Sequence, residues 1–527
     1  MPIFAWIEAC VLIVPFLPLR YVNPAVNINS TPRNGLINVS IVVYGQANIP
    51  GNVALSVTEP PYEVAYEQIN REYGDRFNIS YVQTRAHPCL STLQSSLHPE
   101  NNLAWWNYHL ISQGQVVIFI TPGGSAMACD ASDTSWNALA ASWGTLMLNT
   151  LSGIELKGRS AYNTSLSLSS VGMNHYIEVA LILIAHYDWQ SVFLAWDQAS
   201  VPAYRAIAEG IKVGLDRNGG RVLHSLTSIK ATSDFNFNPL LSEFHNSSRV
   251  MFYCGHASQL RRLLVYIAVE IMPAPSLFGR LTWNYGDRDD EAARSAFQSL
   301  LVLQQLDDAL QQRNSSQRFK SAMAVEFRRR SVAKYNSSYA PGNDLINLLL
   351  DGYIAIRLLG KVLNETWQED GAFMEGRRLA DRFLNRTFNL ENIGDVYVDW
   401  NGIRKVSNAV MHYNALRDIR EPFLVRYANT SMPQTLTPLN VDIAWPNIPW
   451  PPPWRPRCGY RGDSCLSDSR SMFIESMIGI STIVVIGAAL AVKFWRWFQH
   501  YRFEWNIGGS SSRAIFASRA SVMVGLG

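Results

Sequence analysis

Charge is scarce in this chain. Of its 527 residues only 17% are charged, 45 basic against 42 acidic, for a formal net charge of +3. A balance so near neutrality offers no basic stripe for nucleic acid to recognise, so no nucleic-acid partner is expected. Also missing are the phosphate-cradling Gly-x-x-x-x-Gly-Lys-Ser/Thr, the dinucleotide fingerprint Gly-x-Gly-x-x-Gly, the zinc-binding His-Glu-x-x-His and the nucleophile elbow Gly-x-Ser-x-Gly. The ten histidines show no metal-ligand spacing. The acidic run Asp287-Arg288-Asp289-Asp290-Glu291 lacks the glycine and the distal bidentate Glu of a calcium loop. It reads as a solvated loop ahead of a helix, and Arg328-Arg329-Arg330 as the exposed face of one. These residues therefore lead to no catalytic group, no metal and no cofactor.

Cysteine is sparse too, six in all. Cys10 falls in an apolar N-terminal run, residues 3–19, whose length and position suit a signal peptide over residues 1–22. No Lys or Arg precedes that core and Glu8 interrupts it, so an uncleaved hydrophobic start is the other reading. In an oxidising compartment the remaining cysteines are expected to pair. Cys458 and Cys465 are close enough to close a small loop, and Cys89 with Cys129 is the natural second pair. Cys254 ends the apolar run Val250-Met251-Phe252-Tyr253-Cys254, which suits a buried free thiol, although a link between two chains is an alternative.

A second apolar run covers residues 472–492 and carries no charge from 476 to 492. About 20 residues span a bilayer's hydrocarbon core. Lys493-Phe494-Trp495-Arg496-Trp497-Phe498 follows at once, an aromatic belt with interleaved cations suited to the inner face of a membrane. Between the two apolar runs lie ten Asn-x-Ser/Thr sequons, at Asn29, Asn38, Asn78, Asn163, Asn246, Asn314, Asn336, Asn364, Asn385 and Asn429. Their confinement to one side of the second run predicts N-glycosylation and passage through the secretory pathway. The expected location is the plasma membrane, crossed once, with the N-terminus outside.

Between residues 35 and 440 the pattern alternates. Strands are expected at 37–43, 77–82, 116–120, 191–196, 222–226, 249–253 and 423–427, from β-branched and continuous apolar runs. Helices are expected at 62–73, 104–111, 176–187, 204–215, 260–270 and 344–363 from their apolar spacing. Thr121-Pro122-Gly123-Gly124-Ser125 reads as a turn at a strand's carboxyl end. In the stretch 394–404, Asn401-Gly402 reads as a hairpin turn between an alternating strand and the run Ala409-Val410-Met411-His412-Tyr413. Two successive rounds of strand–helix alternation predict two α/β lobes with parallel sheets. Ligands of open α/β sheets bind at the carboxyl ends of strands, which here follow Thr121 and Trp196, but no individual ligand residue is assigned. Residues 441–471, rich in Pro and Trp and closed by the Cys458–Cys465 loop, read as a stiff stalk. Residues 493–527 read as a short cytoplasmic tail.

Four stretches together resemble the extracellular region of receptor-type guanylate cyclases, the natriuretic-peptide-receptor family, and its large nematode branch. They are Thr121 to Ser125 leading to Cys129; Ala140-Ala141-Ser142-Trp143 with Tyr187-Asp188-Trp189 and the strand after it; the hairpin at 394–404, similar to Gly-x-Val-x-x-Asp-x-Asn-Gly-x-Arg; and Pro456-Arg457-Cys458-Gly459-Tyr460-Arg461-Gly462-Asp463-Ser464-Cys465 just outside the membrane. The resemblance covers about residues 37–497. It implies a two-lobed, type I periplasmic-binding-protein-like α/β ectodomain followed by one transmembrane helix. It implies an extracellular ligand, peptide or small molecule, and a homodimer or a heterodimer with a related receptor. In it, Cys89–Cys129 looks like the family's first disulfide and Cys458–Cys465 its juxtamembrane one. The turn at 123–129 departs from the family's chloride site, and no ion is assigned there. The 35 residues from Lys493 to Gly527 hold no kinase-like or cyclase domain. The chain as given is therefore expected not to make cyclic GMP. It reads as the sensor half of a receptor cyclase or as a non-catalytic clearance or decoy receptor.

Overall fold

The computed structural model describes residues 35–46, 54–86, 99–122, 132–150, 161–217, 219–230, 232, 235–263, 267–271, 278–306, 314–337, 346–369, 371–415, 417–428, 435–441, 443, 445, 450–453, 455–456, 458–460 and 469–507. They fall into two compact units, Met1–Trp454 and Arg455–Gly527.

The first unit begins with β1 (Ile37–Gln46), α1 (Leu55–Tyr73), β2 (Phe77–Ala86), α2 (Pro99–Ser112), β3 (Val116–Thr121), α3 (Ser132–Trp143), β4 (Leu146–Asn149) and β5 (Ser165–Ser167). Their five strands pair in parallel in the order β2-β1-β3-β4-β5. All six residues of β3 are buried, as its unbroken apolarity requires of a central parallel strand covered on both faces.

The second lobe runs through α4 (Met173–His186), β6 (Ser191–Asp197), α5 (Pro202–Arg217), β7 (Leu223–Ile229), α6 (Asn238–Ser247), β8 (Met251–Cys254), α7 (Ala257–Leu263), β9 (Ile267–Glu270), α8 (Asp290–Phe297) and β10 (Leu301–Gln305). The chain then returns to the first lobe as α9 (Asn314–Tyr335), α10 (Ile346–Glu369), α11 (Gly376–Asp381) and a small antiparallel sheet of β11 (Arg386–Leu390), β12 (Gly394–Val398) and β13 (Arg404–Lys405). It re-enters the second lobe as β14 (Asn408–Asn414), β15 (Ile419–Arg426) and β16 (Thr437–Pro438). The eight-stranded sheet has the order β16-β15-β14-β10-β9-β8-β6-β7, parallel from β7 to β10 and antiparallel beyond. The two α/β lobes expected from the alternation are present.

Three expectations are corrected. Residues 260–270 are not one helix: α7 ends at Leu263, and Ile267–Glu270 is strand β9 between β8 and β10. Its β-branched residues fill a gap in the parallel sheet, and that tertiary pairing overrides the helical spacing. The Asn401-Gly402 hairpin closes on Arg404–Lys405, not on the run that begins at Ala409, which belongs to β14 in the other lobe. Helix α1 starts at Leu55, ahead of the expected 62–73, and contains Pro60 and Pro61. A proline cannot donate to the carbonyl four residues back. For Pro60 that carbonyl is Ser56's, and the Ser331 hydroxyl of α9 bonds it instead at 2.6 Å.

Cys254 is a free, buried thiol, as its apolar run suggested, and burial pushes it up to about 12. Trp445 and Trp450 pack with tilted rings at 4.7 Å, and Trp450 meets Tyr187 and Phe423 edge to face at 5.2 and 5.6 Å. In the second unit, α12 (Ser469–Ile507) contains a span, Met477–His500, with mean hydropathy 2.1 and none of it buried. Among the described residues it is the single helix long and apolar enough to cross a membrane.

Candidate functional site at the crossovers between the lobes

The chain passes between lobes three times. It leaves the carboxyl end of β5 for α4, leaves the carboxyl end of β10 for α9, and runs from β13 into β14. β14 begins at Asn408, paired with Gln305, the last residue of β10. All three crossovers therefore lie at the carboxyl edges of the two parallel sheets, the edge where open α/β sheets bind ligands.

One buried acid ties two of these crossovers together. Asp351 of α10 is fully buried. Its Oδ2 accepts the Ser170 backbone N–H at 2.6 Å and the Ser170 hydroxyl at 2.7 Å, both from the first crossover. Its Oδ1 accepts Arg404 Nη1 at 2.6 Å, from the third. Burial pushes the carboxyl up to about 6, although Arg404 and the Ser170 donors pull the other way. Such a pair is costly to bury and more costly to break.

The motif at 394–404 explains how Arg404 comes to be there. Asp399 Oδ1 accepts the backbone N–H groups of Asn401 and Ile403, each at 2.9 Å, and so builds the turn. Gly402 sits at φ 78°, and a Cβ there would stand 2.8 Å from Leu166 Cδ2. This close approach lets the Gly402 carbonyl accept the Ser167 N–H at 2.8 Å, pinning the hairpin to β5. Lys405 then faces α4, while the Arg404 side chain turns to Asp351 of α10. Lys405 meets Glu178 at 3.0 Å and Asp399 at 3.4 Å, and Arg426 of β15 meets Glu178 at 2.5 Å. Burial opposes ionisation of Glu178, but the two cations outweigh it and hold the acid below its ordinary value.

His175, one turn into α4, is fully buried with Nε2 3.0 Å from the Arg404 carbonyl. A carbonyl can only accept, so Nε2 carries the proton and Nδ1 the lone pair. Burial, with Lys405 next, pushes this histidine down to about 4. Gly172 makes room for the ring: a Cβ there would lie 3.3 Å from His175 Cε1.

Along the same edges, several buried polar atoms have no protein partner among the described residues. They are both ends of the Asn408 amide, Gln304 Oε1, the Tyr253 hydroxyl and the Ser200 hydroxyl. Polar groups left in this state are ones a ligand or an ordered water can satisfy. Beyond Trp196, Asp197 Oδ1 accepts the Ala199 N–H at 2.9 Å, and Arg205 lies 5.6 Å over the Trp196 ring. His256, at the end of β8, bonds Ser258 Oγ at 2.7 Å. The edge offers hydrogen bonding and aromatic surface, the chemistry of binding.

The clusters set aside on sequence grounds have structural partners. Asp287 and Asp290 both bind Arg261, at 2.6 and 2.7 Å. Arg329 pairs with Glu326, and Arg330 with both Glu326 and Glu67, so the first is an exposed helix face and the second a link from α9 to α1.

Among the sequons, Asn38, Asn78, Asn246, Asn336 and Asn385 are exposed, while Asn163 and Asn364 are half-buried. Asn38 and Asn78 are register partners on β1 and β2, joined side chain to side chain at 2.8 Å. Of Asn314 only the backbone at the start of α9 is described, and Asn29 and Asn429 lie outside the described residues. So do Cys89, Cys129, Cys465, the turn at 123–125 and the apolar run 3–19. Cys458 is disulfide-bonded. The sequence singled out the 394–404 motif but gave no functional reason to choose Asp351 or Ser170. Asp351 lies inside an apolar helix pattern, and its being the one charge between Ile346 and Ile356 was the available signal.

The chain is similar in sequence to atrial natriuretic peptide receptor 3. With the mouse protein it shares 24% identity over 248 residues, 43% of this chain and 42% of that one. With the rat protein it shares 26% over 246 residues, with the same coverage. It is also 22% identical over 294 residues to the Caenorhabditis elegans receptor-type guanylate cyclase gcy-28, covering 52% of this chain and 22% of that one. The match thus spans about two fifths of the length of the natriuretic receptors. No family model matches. Among solved structures, the leucine-binding protein LivK of Thermotoga maritima aligns over 74% of this chain and 98% of its own, at 14% identity and TM-score 0.43. An amino acid transporter substrate-binding protein of Pseudomonas fluorescens aligns over 75% and 96%, at 13% identity and TM-score 0.44.

Proposed function

We propose, from this relationship to natriuretic peptide receptor 3 and to a receptor-type guanylate cyclase, that the chain is a single-pass cell-surface receptor for an extracellular ligand. The relationship carries the reading, and the relatives' printed names favour a peptide ligand and a cyclic GMP output. The sequons on one side of the apolar span and the aromatic–cationic flank on the other support an outside N-terminus. Trp105, Tyr108 and Ile111, exposed along one face of α2, support a second receptor chain as partner. Ligand taken at the carboxyl edges would shift the crossovers latched by Asp351, and α12 would pass the change inward.

Capture of ligand without output is the second reading, favoured by the match to natriuretic peptide receptor 3 itself. Both are tested on cells expressing the full chain with an epitope inserted after residue 34. Antibody staining without permeabilisation, a mobility shift on N-glycosidase treatment, and specific capture of a labelled peptide from a neuropeptide library are the expected results. Staining that requires permeabilisation sinks the receptor reading. Captured peptide that raises cyclic GMP supports the signalling version, and capture with no rise supports the second.

A further inference from the structure

The geometry points to a second ligand site, on the flank of the first lobe away from the crossovers, that takes an organic anion with an apolar body. A cavity of about 630 Å³ opens between the last turns of α1, the middle of α10 and the β11–β12 turn. That volume is in the range of small-molecule sites, roughly 300–1,000 Å³. Helix α1 starts after the carboxyl end of β1 and finishes at Tyr73, close to where the Ile37 N–H bonds the Arg76 carbonyl at 3.1 Å. The cavity therefore lies toward the amino ends of the strands, and it is separate from the edge described above.

Its apolar lining includes Phe319 and Tyr353, whose rings meet edge to face at 5.8 Å, and Ile393. The Tyr353 hydroxyl is held by Gln68 Oε1 at 2.5 Å, which keeps the ring in place. Three cations and two carboxylates line the cavity, so its net charge is 3 − 2 = +1. Glu72 and Arg357 neutralise one another at 2.7 Å. Lys361 Nζ donates to the Asn389 carbonyl at 2.6 Å, and Arg71 Nε donates to the Glu67 carbonyl at 3.2 Å. Both acceptors are neutral, so the two cations keep their charge and further N–H groups, with Glu391 as the opposing carboxylate in the lining. Aromatic surface in one cavity with two such cations suits a carboxylate on a ring or chain. This inference does not rest on the receptor reading.

The test uses the full chain in lipid nanodiscs, with 2-naphthoate as probe and the isosteric neutral 2-naphthamide as control. Binding is followed by saturation-transfer NMR and calorimetry against empty nanodiscs. Naphthoate is expected to bind at least roughly tenfold more tightly than naphthamide, the worth of one charge-assisted contact. The double substitution Arg71→Gln/Lys361→Gln is expected to remove that preference, and Glu391→Gln to strengthen naphthoate binding. No binding above empty nanodiscs, equal binding of the two probes, or a preference that survives the double substitution overturns the site. Should the double variant fail to fold, Glu391→Gln still decides, because unchanged naphthoate affinity also overturns it.

Discussion

Asp351 and Arg404 meet at 2.6 Å where the chain crosses between the lobes, the acid wholly buried and the guanidinium nearly so. The same carboxylate also holds Ser170 of another crossover. Replacing Arg404 by Met removes the cation and leaves the buried carboxyl without its charge partner. Breaking one side of a buried pair costs about 3–5 kcal/mol. Urea unfolding of the Arg404→Met chain at pH 7, followed by tryptophan fluorescence, is expected to show a loss of that size. A loss under about 1 kcal/mol would mean that water, not Arg404, balances Asp351.

Much of the strand frame was legible before any coordinates. Val116–Thr121 and Ser191–Asp197 are apolar along nearly their whole length because helices cover both faces of their sheets. Short strands were not legible. Leu146–Asn149 and Ser165–Ser167 have four and three residues, and Ser165–Ser167 owes its place to pairing with β4 rather than to any preference of Ser-Leu-Ser. Helix α9 was legible only as the helical face at Arg328–Arg330, for another reason. Its apolar stripe is only the narrow row Phe319, Met323 and Phe327, and ions hold the rest of it to α1, Arg330 to Glu67 and Lys334 to Glu59. The Gly394-to-Arg404 motif was visible as a hairpin, but its role was not. Arg404 becomes a latch only when a residue of α10, 53 positions away, comes to meet it.

The link across the proline of α1 can be tested by removing its donor. Ser331→Ala leaves the Ser56 carbonyl without the hydroxyl that replaces the N–H Pro60 lacks. The expected cost is about 1 kcal/mol. Pro60→Ala supplies a backbone N–H to the same carbonyl, so in that background the cost of Ser331→Ala should shrink. A double-mutant cycle with no coupling would refute the compensation.

Two glycines differ in what a methyl group would meet. At Gly376 a Cβ would lie 2.3 Å from the Gly144 carbonyl oxygen and 2.5 Å from the Leu146 nitrogen, both main chain of the first lobe. At Gly210 it would lie 2.2 Å from Ile177 Cδ1, the free end of a side chain that can turn away. Gly376→Ala is therefore expected to lower stability by about 3 kcal/mol or more, and Gly210→Ala by about 1–2 kcal/mol. Thermal unfolding of the two variants under one condition gives the order, and a reversed order would show that the backbone at Gly144 yields more easily than the α4–α5 contact.

Asp351 and His175 give opposite pH dependences over overlapping ranges. Asp351 rises in the folded chain from its ordinary 3.8 to about 6, so between those values the folded state keeps a proton that the unfolded state releases. Its contribution is fully present below 3.8 and is lost as pH rises through 6, by roughly 3 kcal/mol at 1.36 kcal/mol per unit. His175 falls from 6.5 to about 4, so between those values it is the unfolded state that holds the extra proton. Its contribution is present above 6.5 and is lost as pH falls toward 4. In the wild-type chain the two oppose each other between pH 4 and 6. His175→Gln retains a donor for the Arg404 carbonyl but no longer titrates. Relative to wild type, that variant should gain stability as pH is lowered from 6 to 4, measured as the difference in urea midpoint at each pH. Asp351→Asn should move the opposite way over the same range. The difference removes the other carboxylates, Glu67, Asp287 and Glu326 among them, which titrate alike in both chains. Parallel curves for wild type and His175→Gln would show that His175 is already protonated or already hydrated in the folded chain.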